Sequence, residues 1–236
     1  MLNPFRAAQA VFRPSRPDLI VDSRVRNLQV ARAWAGIVVT LAVLVVYKAA
    51  APKDLASGRF DDAWNNVLVL TCVLPLAVGG FILAARPPNR AEFVRRIRYP
   101  LISVGAIFGA MFSFYLAAGP ELEGARKAAG MVVLVPAGVV LFLWMVPFAL
   151  YGIVLSLTNV FRTADIHELV PPLVSVSASW AVAVVNLVTD PYKGVPGLLA
   201  VVLLLGAPVT VSALAYYEMR RLRRLHGITL RNTLLR

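Results

Sequence analysis

Charge is scarce in this chain. Of its 236 residues 15% are Asp, Glu, Lys or Arg, while 59% are hydrophobic, and the mean hydropathy is +0.73. Soluble domains carry about 25% charge, so an ordinary water-soluble fold is excluded. Cys72 is the one cysteine, which rules out an intrachain disulfide and a cysteine metal cluster. His167 and His226 are the only imidazoles and lie far apart. Three signatures are missing: the His-Glu-x-x-His zinc helix, the Gly-x-Ser-x-Gly elbow and the Gly-x-x-x-x-Gly-Lys-Ser phosphate loop. No intrinsic catalytic activity and no cofactor are expected, and any use of ATP requires a separate subunit. Carboxylates are also missing from the centre of every long apolar run, where proton- and ion-coupled transporters often place one.

What is abundant is uninterrupted apolar sequence. No charged residue occurs in Ala33–Tyr47, Asn65–Ala85, Tyr99–Pro120 or Ala128–Phe161, and the later runs are nearly as clean. About 20 apolar residues cross a bilayer. The pattern predicts an all-α, polytopic membrane protein with six transmembrane helices near 33–50, 65–85, 99–118, 129–157, 173–190 and 196–217. The run beginning after residue 32 reads as a retained span, not a cleaved leader. Trp34, Tyr47, Trp64, Tyr99, Tyr216 and Tyr217 sit near span ends as interfacial anchors. The fourth run is too long for one straight helix, with Pro136 and Pro147 as candidate kinks.

Basic residues set the orientation. There are 24 against 12 acidic ones, a net charge of +12. Six arginines precede the first span, five follow the second, and six lie in the tail. With six spans these segments share one side, giving an N-in/C-in arrangement. The expected organisation is therefore a basic cytoplasmic segment over 1–32 with an interfacial helix, a six-span domain over 33–217, and a basic cytoplasmic tail over 218–236. The expected location is a bacterial cytoplasmic membrane. Because spans interrupt the positive charge, its partners are expected to be anionic lipids, not nucleic acid.

Several short segments are candidates for function. Asn3 and Pro4 suit a helix start, and Phe5, Ala8 and Phe12 then share a face, as in a helix lying at an interface. Between the second and third spans, Phe93 and Ile97 lie one helical turn apart among Arg95, Arg96 and Arg98, a pattern for partner docking or for lipid contact. Asn159, Asn186 and Thr189 are candidates for a polar cavity or for interhelical hydrogen bonds. Arg220, Arg221, Arg223 and Arg224 should meet anionic headgroups, with Gly227 ending the helix that carries them. Asp165, His167 and Glu168 form the one cluster suited to acid–base or metal chemistry; the plainer reading is an ion pair to Arg162 or to a tail arginine.

Six spans, internal ends and a short cytoplasmic element after the second span resemble the architecture of bacterial ABC exporter permeases. The likeness is one of topology. It implies a permease-type transport subunit, an ATPase partner and a homodimer. The competing expectation is a non-catalytic structural or assembly subunit of a larger membrane complex.

Overall fold

The computed structural model describes residues 3–16, 18–20, 22–48, 69–87, 89–118, 123–189 and 196–235. The expected anchor Trp64 and the beginning of the second expected span lie outside the described residues. Nine α-helices are described: α1 Pro4–Phe12, α2 Ser23–Lys48, α3 Val69–Ala84, α4 Asn89–Arg96, α5 Arg98–Ala118, α6 Glu123–Thr158, α7 Val170–Thr189, α8 Gly197–His226 and α9 Leu230–Leu235. A 3-10 segment, Val160–Asp165, joins α6 to α7.

The protein is all-α, and its long apolar helices make it membrane-associated. The expectation of six spans is overturned. Among the described residues three stretches are long and apolar enough to cross a bilayer: Gly138–Thr158 of α6, Val170–Thr189 and Gly197–His226. The N-in/C-in inference rested on an even count of six and loses that support. Among the described residues α3, Val69–Ala84, is apolar and shorter than 18 residues. α2 opens with polar turns holding Arg24, Arg26, Gln29 and Arg32, so its apolar part is only its second half. α5 packs one face inside the first unit, where Ser103 is fully buried and donates to the Val11 carbonyl at 3.2 Å.

The chain forms two compact units, each assembled from two separated stretches. The first comprises residues 1–19 and 91–168. In it α1 packs along α6, and both meet α5. Asn3 Oδ1 accepts from the Phe5 and Arg6 amides at 2.9 and 3.3 Å, and Pro4 fills the first turn. Ala8 and Phe12 are buried with Ala110, Phe148 and Leu155. Phe5 stands edge-on to Tyr151 at 5.5 Å, and Gln9 donates to the Tyr151 hydroxyl at 3.1 Å. α1 therefore spends its apolar face on α6. The long α6 is broken at Gly130, whose φ of 70° and ψ of 156° leave the helical region. Pro136 and Pro147 stay within helix. Only glycine adopts such angles without steric cost.

The second unit comprises residues 20–90 and 169–236. α8 is its spine, with α7 along one side and α2 along another. Trp180 of α7 donates to Ser212 Oγ of α8 at 3.0 Å. α8 continues through the arginines to His226 and ends at Gly227, which has φ 67° and donates to the Arg223 carbonyl at 3.1 Å. This is the left-handed cap expected of glycine. The chain then turns back through α9, where the Leu234 carbonyl accepts from the Arg86 amide at 3.0 Å.

α1 rests against α6 through a glycine. A Cβ on Gly152 would lie 2.5 Å from the Phe12 ring, which is itself only 1% exposed. Gly152→Ala should thus displace Phe12 and weaken this docking by about 1–3 kcal/mol. The checks are a lowered thermal midpoint and faster chymotrypsin cleavage after Phe12. Phe12→Leu should relieve the clash, so the double variant should lose less than the two single losses added together.

Candidate functional site

The densest polar constellation lies in the first unit, where the chain leaves α6. Val160, Phe161 and Arg162 have φ of 44°, 54° and 60°. Three consecutive left-handed residues without a glycine, one of them β-branched, carry strain on the order of 1–3 kcal/mol each. The turn they make swings Arg162 inward until it is 4% exposed. Its guanidinium is then fully engaged. Nε donates to Asp165 Oδ2 at 2.9 Å, Nη1 to the carbonyls of Val11 at 2.8 Å and Ala10 at 3.4 Å, and Nη2 to Ser15 Oγ at 2.7 Å. Its central carbon sits 5.1 Å above the Tyr99 ring, a cation–π distance.

Asp165 returns the contact. Its Oδ1 accepts from the amides of Ser15 at 2.9 Å and Arg16 at 3.2 Å. Arg16 reaches Glu168 with Nη2 and Asp18 with Nε, the latter at 2.8 Å. Asn159 Nδ2 donates to the Phe12 carbonyl at 3.3 Å. Arg162, which is buried, and Arg16, which is half-buried, thus face two buried carboxylates, Asp165 and Glu168, so that each buried charge has an opposite partner. That balance makes its burial tolerable, because an unpaired charge there costs several kcal/mol. The arrangement is a latch that holds residues 10–16 against the end of α6.

His167 lies beside the latch, edge-on to Phe93 with ring centres 5.8 Å apart. Burial, followed by the positive charges of Arg16 and Arg96, pushes its pKa down to about 4. Glu168 Oε2 is 3.8 Å from Nε2 and would favour the charged ring. Arg16 already engages that carboxylate, so the two arginines and burial prevail and the ring is neutral near pH 7. Among the described residues no three His, Cys, Asp or Glu side chains gather as a metal site would require.

The candidates read from sequence fall in several places. Phe93 is buried and faces the protein, and Ile97 is half-buried. Arg96 pairs with Glu92 and donates to the Ile166 carbonyl at 3.4 Å. Arg95 and Arg98 are exposed, Arg98 over Tyr99 at 5.0 Å. Asn159 belongs to the latch in the first unit. Asn186 and Thr189 belong to α7 in the second, where Thr189 donates to the Val185 carbonyl at 3.1 Å. Arg220, Arg223 and Arg224 are exposed, while Arg221 pairs with Asp22. Asp165 pairs with Arg162, one of the partners expected for it. Sequence reasoning missed Arg16, Ser15 and Tyr99: they are separated from their partners by most of the chain, and no spacing rule connects them. Compared with known proteins, the chain matches no protein family, no curated protein and no solved structure.

Removing Arg162 strands Asp165 as a buried charge, so Arg162→Ala should destabilise the first unit by about 3–5 kcal/mol. Release of residues 10–16 should show as rapid chymotrypsin cleavage after Phe12. The double variant Arg162→Met/Asp165→Leu removes both charges and should recover much of the loss.

His167 adds a pH dependence. Its folded pKa lies below the unfolded value of 6.5, so its contribution is complete above pH 6.5 and is lost as pH falls towards 4. The loss should be on the order of 2–3 kcal/mol across that window, reduced by partial solvent screening. His167→Asn should flatten this part of a stability–pH profile, measured by thermal unfolding in detergent.

Proposed function

We propose that this protein is a non-catalytic assembly subunit of a larger complex in a bacterial cytoplasmic membrane. One observation carries the reading. The buried ionisable groups, Arg162, Asp165 and Glu168, are held in internal pairs beside the end of α6, while the long apolar faces are left bare. In the three long helices 22%, 22% and 17% of the apolar window is buried within the chain. A lone bundle core hides far more of each helix, so these faces are suited to lipid or to the helices of other subunits. The paired latch holds residues 10–16 against the end of α6. Anionic lipids complete the reading: Arg220, Arg223 and Arg224 project around the buried Leu222 at the end of α8, each attracting the acidic leaflet by about 1 kcal/mol.

A permease-type subunit driven by an ATPase is the second reading. It is favoured by α4, a short helix outside the long apolar stretches that exposes Val94 and Arg95. The topological likeness that first suggested it rested on six spans and no longer supports it.

Purification of the full chain from gently solubilised membranes decides between them. The assembly reading expects membrane proteins without ATPase activity in fixed stoichiometry. A stoichiometric ATPase, released by Val94→Asp with Arg95→Glu, would establish the permease reading instead. Recovery of the chain alone would overturn both.

A further inference from the structure

The seam between α2 and α8 in the second unit carries three polar contacts. Asp22 pairs with Arg221, Gln29 Nε2 donates to Glu218 Oε2 at 3.4 Å, and Arg32 Nε donates to Thr210 Oγ1 at 3.2 Å. The first two join groups at the polar end of α8. The third does not. Thr210 lies eight residues from Glu218, about 12 Å of helical rise, inside a stretch of α8 that is free of charge from Gly197 to Tyr217.

An arginine at the margin of an apolar region normally extends back to water. Arg32 instead reaches across the seam to Thr210 of α8. What it finds there is one hydroxyl. Thr210 Oγ1 donates its own proton to the Gly206 carbonyl at 2.7 Å and can only accept from Arg32. Among the described residues the guanidinium has no carboxylate partner, and the donors on Nη1 and Nη2 remain available. Arg162 shows the contrast, with every guanidinium nitrogen bonded and an acid beside it.

The surface around Arg32 is open and apolar. Leu28, Gly36 and Val39 lie on its side of α2, one or two turns away, and all three are exposed. Gly36 has nothing within 4 Å of the place a Cβ would occupy. A small residue on an open face lets a second backbone come close. Charges within membrane helices pair with one another or line pathways, because leaving them unpaired in hydrocarbon is costly.

We propose that Arg32 is the docking point for a transmembrane helix of another subunit that carries an aspartate or glutamate at the depth of Thr210, packed against Leu28, Gly36 and Val39. The proposal rests on the assembly reading and names the partner's chemistry. Charge complementarity selects the carboxylate, and depth selects a protein helix over lipid. Headgroup phosphates would meet the exposed Arg220, Arg223 and Arg224, and reaching the depth of Thr210 would draw a phosphate about 15 Å or more further in. A second copy of this chain presents another arginine at the same place and is repelled.

The test uses the full chain labelled at Cys72, its single thiol, which is exposed. The probe is a 20-residue (about one bilayer span) poly-leucine helix with one Asp, one Asn or neither, placed about a third of the way in. Energy transfer is read in phosphatidylcholine vesicles. The Asp helix should associate roughly tenfold more tightly than the other two. That preference should vanish in Arg32→Gln and persist in Arg32→Lys; circular dichroism confirms that each variant is folded. Equal association of the three helices overturns the proposal. So does Arg32-dependent binding of phosphatidylglycerol vesicle lipid that the Asp helix cannot displace, which would make lipid the occupant. Native membranes separate the two claims. If Arg32→Gln keeps its stoichiometric partners, the docking proposal fails and the assembly reading stands. If wild type has no partners yet binds the Asp helix, the assembly reading fails alone.

Discussion

Arg162 is the constraint on which the first unit depends. The backbone from Val160 to Arg162 is held in a left-handed conformation that no glycine relieves. Such a turn persists only where its surroundings over-determine it. Here four acceptors, contributed by residues 10–16 and by Asp165, hold the guanidinium in one position. The same contacts that stabilise the turn fix the N-terminal stretch, and that stretch in turn seats Phe12 against Gly152. Strain, burial and docking are therefore one cooperative event. Double-mutant cycles across Arg162, Asp165 and Ser15 would show coupling well beyond that of independent surface pairs.

The two units solve the same problem differently. Each must accommodate charged residues beside long apolar helices. The first buries Arg162, Asp165 and Glu168 and gives each an opposite partner. The second leaves its pairs nearer the surface, with Asp22 and Arg221 partly exposed, and among the described residues Arg32 has no acid beside it. Breaking a buried pair is costly because the remaining charge has nowhere to go; breaking a half-exposed one costs little. Rigidity therefore belongs to the latch, whereas the α2–α8 seam keeps unspent binding capacity.

What is legible in the sequence is what local rules determine. Asn3 and Pro4 mark the start of α1, and Gly227 marks the end of α8, because capping depends on residues a turn apart. The helical class follows from uncharged runs. The number of spans does not follow, because a charge-free run does not say which face of a helix meets protein: Ser103 and Ala110 of α5 are buried inside the first unit. The break in α6 falls at Gly130 and not at Pro136 or Pro147, since a proline within an apolar helix loses one hydrogen bond, whereas a φ of 70° requires glycine. At the site, the Arg162–Asp165 pair is readable from its spacing of three. The bonds from Asp165 to Ser15 and Arg16 span about 150 positions, and local pattern has no access to them. Phe93 looks like an exposed anchor in sequence because nothing there reveals the His167 ring that covers it.

Those long separations have a consequence for synthesis. Chains elongate at about 5–20 residues per second, so residues 10–16 emerge roughly 10–30 s before Arg162 and Asp165 exist. Throughout that interval the carbonyls of Ala10 and Val11 and the amides of Ser15 and Arg16 lack their final partners, and Arg6, Arg13 and Arg16 travel as an unneutralised basic string. The whole of residues 20–90 must also be threaded before the first unit can close. The latch is the last piece of that unit to be translated, and its closure marks the moment at which the beginning of the chain ceases to be available to anything else.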